Sequence, residues 1–204
     1  MNNKHIPILL LSSVLFVNCN KTNENYNSTS ISENFVSSYL DVSSCTITRE
    51  SYGQGYYKVL CSGNYYKKGD EKYSFYSEKY GDTDYNDTKY LMPVKSVVND
   101  FQKINIYSDV DFPNVKAGEP STKIVEVSFF SPYDYVKTHY TSSPKLVRIN
   151  KMACDLTAKD LYMMYNEFLL HFTQVPTNKG LFTIFIEMEA SNGTIVKGSG
   201  KVRW

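Results

Sequence analysis

Phe182-Thr-Ile-Phe-Ile-Glu-Met-Glu-Ala190, then Ser191-Asn-Gly193, then Thr194-Ile-Val-Lys-Gly-Ser-Gly-Lys-Val-Arg-Trp204 is the stretch from which the fold is read. Side chains alternate across a strand, so Ile184, Ile186 and Met188 share one face while Glu187 points to the other. The three-residue loop carries Gly193 where a hairpin of this length needs a left-handed residue. Ala190 then faces Thr194, and Glu187 opposes Lys197 as a surface ion pair. Val196, Gly198, Gly200 and Val202 join the buried face. The missing side chains of Gly198 and Gly200 leave a gap, expected to be filled by a helix bearing Phe168 and Phe172.

That helix is read over residues 157–173. Thr157 with Asp160 three positions on resembles a capping box, and Leu161, Met164, Tyr165, Phe168 and Phe172 form its apolar stripe. Two further helices are expected: residues 31–41, from the spacing of Ile31, Phe35, Val36 and Leu40, and residues 94–101, which begin just after Pro93. Lys103 to Tyr107, Ile124 to Phe130 and Lys145 to Ile149 read as strands, with a helical turn over residues 132–140. Lys72 to Ser77 also reads as a strand, followed by a loop over residues 81–87. The expected fold is α+β: one domain over residues 31–204, a mainly antiparallel sheet with its helices packed on one face and the hairpin 182–204 at its end.

Another hairpin pairs Ser44 to Glu50 with Gly55 to Ser62 around Tyr52-Gly-Gln54. If Ser51 faces Gly55, then Arg49 faces Tyr57, Ile47 faces Val59 and Cys45 faces Cys61. Directly opposed cysteines lie within disulfide reach, and a bridge across so short a loop stabilises by about 3 kcal/mol. With Cys154 there are three cysteines beyond Cys19, so one thiol is left over. The rival reading makes all three small buried hydrophobes.

The chain has 204 residues, 42% of them hydrophobic, with 22 Lys and Arg against 21 Asp and Glu. This excludes collagen-like, coiled-coil and wholly disordered classes, and the balanced charge gives no field for nucleic acid, despite Tyr65-Tyr-Lys-Lys68. Residues 1–18 form an export signal: Lys4 supplies the positive start, and the apolar run from Ile6 to Val17 is shorter than the ~20 residues a bilayer span needs. Removing Lys4 with it leaves the remaining chain formally neutral. Cys19 follows, then a polar stretch to Ser30 that cannot bury enough surface to fold and reads as a flexible tether over residues 19–30.

A basic start, a short apolar run and a Cys before a polar stretch resemble the signal of bacterial lipoproteins, with Asn18 where a small residue normally precedes the Cys and Leu15 one place early. The resemblance implies that Cys19 becomes the acylated first residue, a palmitate-type lipid anchor in the outer membrane, with either face of that membrane possible. The signal and composition also loosely resemble the small surface lipoproteins of spirochaetes, many of which bind host proteins. That likeness implies a protein partner, host-derived in the surface case.

No cofactor is expected. Only His139 and His171 remain once His5 leaves with the signal; neither lies in a Gly-x-Ser-x-Gly, phosphate-loop or His-Glu-x-x-His setting. Asp82, Asp84, Asn86 and Asp87 begin like a calcium loop. Asp87 stands where that loop needs Gly, and Pro93 where it needs the bidentate Glu, so a solvated turn is the plainer reading and no metal is expected. Glu187 and Glu189, on one strand face, are better explained by the pairing with Lys197.

Tyrosine is the unusual feature, 18 against a single Trp. It offers large amphipathic contact area at low entropic cost, so Tyr57, Tyr65, Tyr66, Tyr73, Tyr76 and Tyr80 are the candidate contact residues for a macromolecular partner. The expected function is a membrane-anchored, non-enzymatic binding module. The alternatives are a periplasm-facing structural or envelope-assembly factor, and an enzyme using His139 or the pair Asp82 and Asp84.

Overall fold

Alternating burial along most segments makes strands the dominant element. A computed structural model describes residues 31–51, 53–88 and 92–204; the expected signal segment 1–18, Cys19 and the tether lie outside the described residues. The strands are β1 (Ile31–Ser32), β2 (Ser38–Arg49), β3 (Tyr56–Lys67), β4 (Asp87–Thr88), β5 (Lys95–Val97), β6 (Phe101–Ser108), β7 (Val125–Ser131), β8 (Val147–Met152), β9 (Glu167–Phe172), β10 (Leu181–Ala190) and β11 (Ile195–Arg203). The helices are α1 (Glu71–Tyr80), α2 (Tyr133–Lys137) and α3 (Ala158–Leu161), with a 3₁₀ turn at Ala153–Asp155.

Nine strands form one curled, mixed sheet in the order β6-β10-β11-β2-β3-β9-β7-β8, with β5 beside the start of β2; β1 pairs only with β4. Both hairpins take the expected register: Arg49 faces Tyr57, Ile47 faces Val59 and Cys45 faces Cys61, while Glu187 faces Lys197 and Ile186 faces Gly198. The hollow of the sheet holds a large aliphatic and phenylalanine core that includes Leu40, Val59, Ile106, Val127, Leu170 and Ile186. A second, separate core of Phe35, Val36, Tyr39, Tyr73, Tyr85, Val94, Val98, Tyr135, Val136 and Met163 caps one end.

The expected α+β layering is corrected to a mainly β architecture, and the errors share a cause. Residues 31–41 are not a helix. Phe35, Val36 and Tyr39 enter the cap core and Leu40 the sheet core, so two-sided burial of an extended chain imitates helical spacing. Residues 94–101 are likewise not a helix but strand β5 followed by a bend into β6: Val94 and Val98 face the cap, Val97 and Phe101 the sheet. In residues 157–173 the capping box is present, but the helix ends at Leu161. Met163 then takes a left-handed φ of 52°. The chain leaves it as β9, whose Phe168, Leu170 and Phe172 point inward.

In the opposite sense, the expected strand at residues 72–77 lies within α1. Its end explains why: Gly81 is left-handed at φ 73°, and the N–H groups of Gly81 and Asp82 donate to the carbonyls of Glu78 at 3.1 Å and Ser77 at 2.8 Å. This is a Schellman termination, and it turns the chain so that Asp82 points back under the helix.

The gap at Gly198 and Gly200 is not filled by a helix. A Cβ at either position would collide with the carbonyl of Cys45 or of Ile47. The glycines therefore let β2 lie against β11, which it joins in parallel through Gly198 facing Cys45 and Ser199 facing Thr46. Between this pairing and that with β5, the Asn99 side chain takes the place of a strand: its Oδ1 accepts from Val42 N at 2.7 Å and its Nδ2 donates to Val42 O at 3.0 Å.

Candidate binding surface

At the capped end, β3 delivers Tyr65 and Tyr66 to the surface, and a turn closed by Asp70 Oδ2 accepting from Lys67 N at 2.7 Å leads into α1. The helical period places Tyr76 and Tyr80 one above the other, with Tyr73 and Ser77 buried beneath. Four rings then form a ladder running from the surface inward: Tyr66 to Tyr76 at 5.9 Å, Tyr76 to Tyr80 at 6.4 Å and Tyr80 to Tyr39 at 5.9 Å, all near parallel. Lysines lie over its rim, Lys72 Nζ 5.0 Å from the Tyr66 ring centre, Lys79 5.1 Å from Tyr80 and Lys95 5.6 Å from Tyr65. Each such contact contributes roughly 0.5–1 kcal/mol at an exposed site. Tyr80 is held further by donating to Asp100 Oδ1 at 3.2 Å.

The six candidate tyrosines thus divide. Tyr57 and Tyr73 are core residues at 0% and 4% exposure, and are withdrawn as contacts. Tyr57 packs edge-on against Phe172 and Phe182 inside the sheet. Tyr73 donates to Val36 O at 2.6 Å. Tyr65 is exposed, while Tyr66, Tyr76 and Tyr80 are half-buried. Phe75, at 59% exposed, belongs to the same surface and was missed, because a strand over residues 72–77 would have placed it differently from a helix.

Asp82 organises the layer below. Its carboxylate accepts from Phe35 N at 2.8 Å and Val36 N at 2.9 Å, and from the hydroxyls of Tyr140 at 2.9 Å and Tyr39 at 3.2 Å. Those four donors match the acceptor sites that a carboxylate offers. Burial raises its pKa, against the lowering effect of the same four hydrogen bonds. The phenols respond in kind: burial, then the Asp82 charge, pushes Tyr73 up to about 12 and raises Tyr39 and Tyr140.

This arrangement disperses the acidic cluster of residues 82–87. Asp82 points inward, Asp84 and Asn86 are exposed, and Asp87 pairs with Lys145 at 3.1 Å. Among the described residues no three His, Cys, Asp or Glu side chains gather to hold a metal ion. His139 is exposed after α2, and His171 sits on the outer sheet face with Nδ1 3.0 Å from Glu126 and its ring stacked on Tyr56 at 4.2 Å. Glu187 meets Lys197 at 2.7 Å, as its register requires. Cys45 and Cys61 are buried free thiols, and Cys154 is exposed. No helix among the described residues is long and apolar enough to cross a membrane. Set against protein-family models, curated proteins and solved structures, the chain matches none.

Proposed function

We propose that the chain is a membrane-anchored, non-enzymatic lipoprotein whose domain binds a macromolecule at the cell envelope surface, through the face formed by β3 and α1. The observation that carries this reading is the combination of exposed Phe75 and Tyr65 with the stacked Tyr66, Tyr76 and Tyr80 and their lysine rim. Rings already held in place by one another lose little freedom on contact, which favours a preorganised surface. Acylation of Cys19 would anchor it, since each buried methylene contributes about 0.8 kcal/mol. The twelve residues 19–30 can span at most ~40 Å, so Ile31 would stay within that distance of the bilayer, and Glu33 just after it pairs at 3.0 Å with Lys68, between β3 and α1. A protein partner, host-derived if the domain faces outward, fits such a surface.

Protease treatment of intact cells tests the location. Cleavage of the domain while a periplasmic control survives is expected; protection would favour the periplasm-facing assembly role. A photoreactive residue at Phe75 should capture a partner that one at Val175, exposed on another part of the molecule, does not. Equal capture at both positions would remove the face from the reading.

A further inference from the structure

Cys45 and Cys61 occupy opposed positions of β2 and β3, sixteen places apart in sequence, with their sulfurs 3.2 Å apart. The N–H of Cys61 donates away from β2, to Asn166 O at 2.8 Å. The two cysteines therefore form a non-hydrogen-bonded cross-strand pair, the kind in which Cα atoms and side chains approach most closely. Both are buried, at 4% and 1% exposure. Met188 Sδ also lies 3.8 Å from Cys45 Sγ, but it has no thiol to compete for the bond.

We propose that Cys45 and Cys61 are the site of a covalent modification, a disulfide that closes the β2–β3 hairpin when a disulfide oxidant reaches the chain before these residues are buried. Either cysteine can attack the oxidant first with the same balance. With Cys45 first, its thiolate displaces one thiolate from the oxidant's disulfide and forms a mixed disulfide. Cys61 then loses its proton, attacks Cys45 Sγ and displaces the second thiolate. Two electrons pass to the oxidant, and the two protons released by the cysteines are taken up by its two thiolates, which become thiols. Strand β2 is the first long strand among the described residues and β3 leads into α1, so the bond staples β2 to the strand that carries the proposed binding face. Once buried, it is shielded from reductant, whereas Cys154 remains accessible.

The pairing itself does not depend on export; its occurrence in cells rests on the exported location proposed above. The full chain is purified, refolded in a mixture of reduced and oxidised glutathione, blocked with iodoacetamide in denaturant and digested with trypsin. The expected product links residues 22–49 to residues 59–67 at the summed mass less two hydrogens, while Cys154 is alkylated. Finding both peptides alkylated, or Cys154 linked to either, overturns the proposal. The same digest is then made from cells quenched in acid. A link formed in the refolded protein but absent from cells supports the pairing and overturns the export reading. As a second readout, protein reduced in denaturant and refolded without oxidant should melt roughly 6–12 °C below the oxidised form. Cys154→Ser should keep that difference, and Cys45→Ala/Cys61→Ala should abolish it; a difference that survives the double variant overturns the proposal.

Discussion

The two cores solve the same problem with different chemistry. The sheet core is filled by Val, Ile, Leu, Met and Phe held by alternation along strands, and its cohesion comes from apolar area removed from water. The cap core is filled largely by tyrosine, and each buried phenol must place a hydroxyl as well as a ring. Tyr39 and Tyr140 use Asp82, Tyr73 uses the Val36 carbonyl and Tyr80 uses Asp100. The sheet core can therefore lose a side chain and relax partly around the gap. The cap depends on one carboxylate whose removal strands several donors at once.

Asp82→Ala should be the most damaging single change. Two backbone N–H groups and two hydroxyls lose their acceptor in a buried site, and at about 1–3 kcal/mol for each buried group left unsatisfied the loss should exceed about 4 kcal/mol. Denaturant unfolding monitored by near-ultraviolet circular dichroism would measure it. A loss under 1 kcal/mol would mean that the hub is not a hub.

Ile186→Ala, at 0% exposure in the sheet core, should cost about 3 kcal/mol by the same measurement. A cost equal to or above that of Asp82→Ala would reverse the contrast between the cores.

Alkali separates the cores by another route. Tyr39, Tyr73, Tyr80 and Tyr140 all have raised pKa values, chiefly through burial. Such groups contribute stability that is complete below their unfolded pKa near 10 and lost as pH rises through the folded value. For Tyr73 that window runs from the ordinary phenol value of 10.0 to about 12, at about 1.4 kcal/mol per pH unit. Asp82, also raised, has the same sign: its linkage favours the fold below about pH 4 and fades as its folded pKa is passed. The cap should thus melt with alkali, its tyrosinate absorbance appearing together with loss of tertiary signal. Tyrosines that ionise near pH 10 with the fold intact would contradict the packing described.

Asn99→Ala tests the seam at β2 and should cost about 1–2 kcal/mol, since Val42 loses both backbone partners at a half-buried site. Smallest in stability is Phe75→Ser on the exposed rim, expected within about 0.5 kcal/mol of the parent while abolishing partner capture. A stability loss of several kcal/mol there would show that the proposed binding face is core.

Local rules succeeded where one core was involved. Period-two alternation and turn chemistry located both hairpins and their registers, and Thr157 with Asp160 marked a true helix start. They failed over residues 31–41, 94–101 and 163–165, which pass between the two cores and bury side chains on both sides. Gly81 was the available sign that α1 is a helix, because a left-handed glycine after a run of potential i, i+4 partners is a helix stop. For Asn99 no local signal exists, since its partners on Val42 lie 57 positions away in sequence.

By itself the sequence determined what depends on neighbours along the chain: the hairpin turns, the pairing of Cys45 opposite Cys61, and a concentration of tyrosine between Tyr52 and Tyr90. Tertiary structure alone decided which tyrosines are surface and which are core, that Asp82 serves hydroxyls rather than a cation, and that apolar residues at helical spacing lie in strands. The physical reason is that an apolar pattern records how many sides of a segment are buried. Only the assembled fold says whether those sides belong to one core or to two.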